Sequence, residues 1–262
     1  MQNGTKADSL NKLLIFDVWS PFAYFRKGFT TTTALTYPFI PRSAIEGLVG
    51  AIIGLRSEEY PETLERAKIA IRLMNKVKKI PFSMMHTHVD AWKEFATYLK
   101  TGSMHISPDK FRARVKVEFL EDPKFRIYFS HTSDVQENVM EKLRKHETVF
   151  TPYLGTSSMI ANFEYIGAYP YVAVLNKEPV HVSSIIPFVR NAPKIHIEDG
   201  LTYAFEQNIP IHITTNREVV GYFDAAYSPL ASKIKVSGVE SQAISTDQGQ
   251  EYVVFLPTEI PS

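Results

Sequence analysis

Apolar and polar positions along the 262-residue chain change their period several times. KLLIFDVWS, from Lys12 to Ser20, is a short apolar run without helical period, which predicts a buried first strand. FAYFRKGFTTTTALTY is rich in aromatic and β-branched residues that suit extended structure, and predicts a hairpin or long loop around Gly28. Pro41 suits a helix start, because a proline at the first helical position loses no intrahelical hydrogen bond. The helix is predicted over Arg42–Leu55, with Ile45, Leu48, Val49, Ile52 and Ile53 as its buried stripe. Gly47 and Gly50 would let it pack closely on a sheet. PETLERAKIAIRLMNKV, from Pro61, predicts a second helix, with acids early and bases late as the helix dipole favours.

Residues Lys78–Asp90 read as extended, and DAWKEFATYLKTG as a short helix ended by Gly102. RARVKVEFLEDPKFRIYFSH predicts a β-hairpin: Val115, Val117 and Phe119 alternate with Arg114, Lys116 and Glu118, and EDPK supplies the turn. SDVQENVMEKLRKH predicts a helix capped by Ser133 or Asp134. NFEYIGAYPYVAVL reads as a strand pair or one bulged strand. After Pro179 short strand-like runs alternate with turns.

Strand, helix, two strands, helix, strand is the order of a ferredoxin-like or RRM-like core, so the fold class is α+β. Its expected division is a core over residues 1–178 and a β-rich C-terminal region over 179–262. Such a core licenses no activity by itself, although it includes a common platform for single-stranded RNA.

Composition narrows the chemistry. A net charge of +1 gives no global electrostatic case for nucleic acid or membrane, so a basic surface would be a local patch. The absence of cysteine removes disulfides, thiol catalysis and Cys-ligated zinc together. The polar MQNGTKADSLNK lacks the apolar centre of a signal peptide, and Leu48–Leu55 is far too short to span a membrane. The expectation is a soluble, cytoplasmic protein.

FRKGFTTTTALTYPFIPRSAIEGLVGAIIGL resembles the N-terminal signature of the CRISPR-associated Cas-five family, a branch of the RAMP superfamily. The shared features are an aromatic-basic pair, a hydroxyl-rich stretch, TYP, and PR-x-A leading into a glycine-containing apolar helix. TPYLGTSSMIANFEYIG (Thr151–Gly167) resembles a second block of that family, a Leu-Gly loop entering a strand. The resemblance implies a subunit of a type I Cascade complex, of an I-B-like branch, that grips the 5′ handle of the crRNA. Its implied partners are the crRNA, the backbone and large subunits, and target DNA through the complex; no cofactor and no metal are implied. The tract of about 88–112 would match the family's inserted thumb.

The residue types of the opening stretch suit that role. Arg26 and Lys27 supply phosphate-neutralising charge, and Thr30–Thr33, Thr31 and Thr32 included, offer hydroxyls to phosphates, bases and 2′-hydroxyls. Phe25, Tyr37 and Phe39 could stack unpaired bases, and Arg42 would stand at a helix N-terminus, where an anion is favoured. The residues alone favour a plain β-hairpin whose threonines are simply good strand formers; the resemblance tips the reading to RNA. Arg112, Arg114 and Lys116 share one strand face, with Arg126 and Tyr128 expected across from them. That face reads equally as a phosphate track or as a solvated surface. Gly155 and Ser157 in LGTSS could ring a phosphate with backbone N–H groups and hydroxyls, against the plain alternative of an ordinary turn.

Catalytic readings are weaker. HTHVD places His86, His88 and Asp90 on one side of a strand, but Ala91 stands where a metallo-hydrolase motif has its last histidine. A metal-independent ribonuclease would need a base and a cation beside a 2′-hydroxyl. One Cas-five subfamily processes crRNA with a helix tyrosine and a Lys-His pair; Ile53 occupies the tyrosine position here. Lys145 and His146 form a Lys-His pair at a helix end, and His131 is a further lone candidate. The expectation is a chain without a catalytic residue, with crRNA processing as the alternative.

Overall fold

The computed structural model describes residues 12–30, 33–87, 89–102, 112–188, 193–247 and 249–259, and among these all side chains but those of 86, 87, 89–92, 94, 95, 112 and 113. In chain order the elements are β1 (Lys12–Trp19), β2 (Phe22–Ala23), β3 (Thr33–Ala34), α1 (Arg42–Ile53), α2 (Tyr60–Leu64), β4 (Lys68–Leu73), β5 (Lys79–Thr87), α3 (Val89–Thr101), β6 (Arg112–Glu121) and β7 (Lys124–Ser130). They continue as α4 (Ser133–Lys145), β8 (Asn162–Asn176), β9 (Val180–Val182), β10 (Ile186–Phe188), β11 (Lys194–Ile195), β12 (Ala204–Pro210), β13 (Tyr222–Tyr227), β14 (Ile234–Ser237), β15 (Val239–Thr246) and β16 (Gly249–Val253).

Nine strands form one sheet in the order β11-β14-β9-β16-β15-β8-β1-β7-β4. Within it β1 pairs antiparallel with β7 and β8, and β7 with β4. The apolar run of β1 is explained by burial on both faces. Leu14, Phe16 and Val18 join α1 and α4 in the main hydrophobic cluster, while Leu13 and Ile15 face a second cluster with Tyr128, Tyr171 and Val253. Strand β8 is a single long strand whose register with β1 shifts at Ile15/Phe16. Its far half pairs with β15. Through β8 and β15 the C-terminal strands extend the same sheet. Ile209, Ile211, Phe223 and Leu256 also enter the same cluster as α1. No helix among the described residues is long and apolar enough to cross a membrane.

Helix α1 carries the expected stripe, with Ile45, Leu48, Val49 and Ile52 buried, and ends on Gly54 at φ +87°. Its glycines do not serve the sheet. A Cβ at Gly50 would lie 2.9 Å from the Cβ of Tyr60, so the close approach is to α2.

Three sequence expectations are overturned. The second helix stops at Leu64, and KIAIRL becomes β4, in which Ile69, Ala70 and Ile71 are wholly buried. β-Branched residues buried on both faces favour a strand when a partner edge is present. The cap of α4 is Thr132 rather than Ser133 or Asp134, and it makes no side-chain cap bond. Finally, β6 and β7 occur on either side of Asp122 (φ +48°) but do not pair with each other. Both edges of β7 are taken, by β1 and β4, whereas β6 pairs with β2, β3 and β5 in a separate four-stranded sheet. The Asp-Pro turn therefore passes the chain from one sheet to another. The helix ending at Gly102 is present as α3.

Candidate nucleic-acid interface

The opening stretch folds back on itself. Lys27 N–H donates to Leu35 O and Tyr37 N–H to Phe25 O, each at 2.9 Å, and Thr30 closes the turn by bonding Lys27 O through both its N–H and its hydroxyl. Thr36 is wholly buried, and its hydroxyl accepts from Phe25 N–H at 2.9 Å. Some of these threonines thus serve the hairpin itself. Thr31 and Thr32 lie outside the described residues.

The aromatic residues turn inward. Phe25, Tyr37 and Phe39 are at most 4% exposed, so none offers a ring to a base. The Tyr37 hydroxyl donates to the backbone carbonyl of Asn208, and burial pushes its pKa well above the ordinary value. Lys27 is committed as well: its ammonium pairs with Glu206 and sits 5.4 Å from the centre of the Tyr37 ring. Arg26 alone of the basic pair is exposed.

Arg42 is corrected most sharply. It is 0% exposed, with Nε 2.9 Å from Glu46 Oε1, a charge contact lacking hydrogen-bond angles, and a guanidinium N–H donating to Glu65 O at 2.6 Å. Glu46 Oε2 lies 3.0 Å from His212 Nδ1, which joins α1 to the C-terminal region. Burial pushes the Glu46 carboxyl up and the Arg42 guanidinium down, each opposed by the other's charge. Burial thus removes Arg42 and Tyr37 from the groups able to reach RNA. The Arg42/Glu46 spacing of four was visible in the sequence; the His212 contact had no sequence signal.

What the fold brings together is the end of the threonine stretch and the basic strand. β3 pairs in parallel with β6, placing Thr33 beside Lys116, and β5 places Ser83 opposite Lys116 and Met85 opposite Arg114. Alternation puts these side chains on one face. The opposite face holds Ala34, Val117 and Phe119 with Met159. Arg114 and Lys116 are exposed, and neither makes an ion pair among the described residues. Glu118, by contrast, is paired with Lys79 at 3.1 Å. Arg126 and Tyr128 do not join this face: they belong to the large sheet, where Arg126 pairs with Asp17 at 2.7 Å and Tyr128 is buried.

The loop 151–160 packs against the strand that leads to Arg26. Tyr24 N–H donates to Leu154 O at 3.1 Å. Gly155 has φ +98°, and a Cβ there would stand 1.8 Å from Tyr24 O, so only glycine fits. Ser157 is exposed beside it.

The catalytic candidates are scattered. Lys145 bonds Glu141 at 2.6 Å, and His146 caps α4 at φ +54° with its ring stacked on Phe163. Burial lowers the pKa of His131. The side chains of His86, His88 and Asp90 lie outside the described residues. No group of three or more metal-ligating side chains occurs among those described.

Comparison with curated protein sequences gives no match. Among solved structures, a CRISPR protein from Archaeoglobus fulgidus matches with a TM-score of 0.53 at 12% identity, over 94% of this chain and 100% of that one. A chain of a CRISPR RNA-guided surveillance complex matches with a TM-score of 0.49, also at 12% identity, over 95% of this chain and 92% of that one. The first of these likenesses shows a shared fold. The sequence family described as CRISPR-associated protein (Cas_Cas5) matches residues 13–217, well over half of the chain. The chain belongs to the CRISPR-associated Cas5 family.

Proposed function

We propose that this chain is a non-catalytic subunit of a type I CRISPR surveillance complex, Cascade, acting in the cytoplasm. There it holds the 5′ handle of the crRNA and supports assembly of the backbone and large subunits for target-DNA recognition. The observation that carries the reading is the pairing of β3 on β6 in a chain of this family. It sets Thr33 beside Lys116 and Arg114, two cations that no carboxylate of the described residues neutralises. Unpaired lysine and arginine release counterions when they meet phosphates, while a neighbouring hydroxyl can bond a phosphate or a 2′-hydroxyl. Arg26 and the Gly155–Ser157 turn add a second point of contact.

The order β8-β1-β7-β4, with α1 and α4 in the cluster on one face, supports a ferredoxin-like, RRM-like core. The β5–α3–β6 excursion is read as the thumb. Lys145 and His146 are engaged in helix and aromatic contacts, which favours a subunit without nuclease chemistry. Purification of the tagged chain from its host, followed by sequencing of bound RNA, tests the reading. Short RNAs sharing one repeat-derived 5′ end are expected; absence of RNA, or RNA unrelated to the repeat, refutes it. Cleavage of repeat RNA at one position by the isolated chain would refute the non-catalytic part.

A further inference from the structure

The outer side of α1 floors an open pocket of about 370 Å³. Small residues of the helix, among them Ser43, Gly47 and Ala51, leave the furrow, and Phe150 and Tyr153 form one wall. This wall is tied to the helix end, because Phe150 N–H donates to Ala51 O at 2.9 Å. Arg217 also lines the pocket, held by the Tyr60 hydroxyl at 2.7 Å and by Ser57 O at 3.3 Å, with its guanidinium 5.6 Å from the centre of the Tyr60 ring.

Three features define what fits. Phe150 and Tyr153 are 47% and 48% exposed, so their rings are open to a ligand. No carboxylate is among the lining residues, and the one charged group, Arg217, is cationic. Ser43 is 8% exposed and lines the pocket, yet its hydroxyl has no hydrogen-bond partner among the described residues. The hydroxyl is open to the pocket rather than sealed from solvent, so it can donate to or accept from a polar ligand atom. The volume lies at the low end of small-molecule pockets, roughly 300–1,000 Å³, which suits one planar ring system.

We propose that this pocket receives the base of one unpaired nucleotide of the bound RNA, stacked against Tyr153 or Phe150, with its polar edge toward Ser43 and an adjoining phosphate toward Arg217. The proposal rests on the RNA-binding reading above, and Gly155 links the two regions: it lines the pocket and also packs on Tyr24, two residues before Arg26.

The test uses the full chain and single-stranded RNA copied from the neighbouring CRISPR repeat, intact and with single abasic positions, read by fluorescence anisotropy. One abasic position is expected to weaken binding to wild-type protein by about ten-fold or more, as loss of a stacked base does. Tyr153→Ala, and Ala51→Leu, which fills the furrow, should weaken the intact RNA similarly. Both variants should be nearly indifferent to that abasic position, with the salt dependence of binding unchanged. If wild-type protein binds the RNA but all abasic positions and both variants behave alike, the pocket proposal falls and the RNA-binding reading stands. If wild-type protein binds no RNA, the RNA-binding reading itself falls. Loss of partner subunits from the variants at unchanged RNA affinity would show that the pocket takes a protein side chain, which also overturns the proposal.

Discussion

Replacing Arg42 with methionine separates a structural arginine from an RNA-binding one. The side chain is 0% exposed, and its Nε stands 2.9 Å from a Glu46 carboxylate that is also wholly buried. At that distance and an effective dielectric constant of ~20 the attraction is about 6 kcal/mol. Desolvation costs several kcal/mol for each ion, so the intact pair contributes little net stability. Removing only the cation is different, because Glu46 would keep its desolvation cost with His212 as its sole partner. A loss of about 3–5 kcal/mol is expected, as for other broken buried pairs. At roughly 2–4 °C per kcal/mol for a chain near this size, the melting temperature should fall by about 6–20 °C. Arg42→Met combined with Glu46→Leu removes both charges and should recover most of that loss. Thermal melts followed by circular dichroism, with urea titration of the same variants, measure both effects. A single variant within about 1 kcal/mol of wild type would refute the argument. A normal melt with a weakened salt dependence of RNA binding would return Arg42 to the RNA site.

Arg114→Ala and Lys116→Ala should each reduce the slope of log affinity against log salt by about 0.7 for single-stranded RNA, with unchanged melting; equal slopes would exclude phosphate contact at this face. Gly155→Ala forces a Cβ to within 1.8 Å of Tyr24 O at φ +98°, so a destabilisation of at least ~2 kcal/mol is expected from strain and a lost backbone bond. Ser157→Ala, in the same loop but exposed, should stay within about 0.5 kcal/mol, and equal effects of the two would refute the steric account. Because burial lowers the pKa of His131 from its ordinary 6.5, the unfolded chain binds more protons below that pH. The stability contributed by the neutral ring is therefore present above pH 6.5 and lost as pH falls toward the folded value. His131→Gln should flatten this part of the pH–stability curve, and an unchanged curve would refute it.

Local chemistry alone determined several elements. KLLIFDVWS could only bury both faces, Pro41 and the stripe from Ile45 to Ile52 define α1, and Gly102 ends α3. The two motif blocks also carry the family resemblance. Pairing partners were not legible, because the alternation of RARVKVEF fits any sheet. Whether β6 meets β7 or β5 depends on which edges the distant strands β1 and β4 already occupy. KIAIRL likewise reads as helix or strand until β7 offers it an edge. The same limit applied to the site. Aromatic and basic residues in FRKGFTTTTALTYPFIPR looked like one RNA-gripping set, but side-chain direction is fixed only by what packs behind it. Glu206 and Asn208, 179 and 171 positions away, draw Lys27 and Tyr37 inward, and Glu46 with His212 encloses Arg42. Thr33 and Lys116, 83 positions apart, become neighbours because β3 pairs with β6. Sequence fixes which groups are present and the period on which they fall; long-range pairing decides which of them reach solvent together.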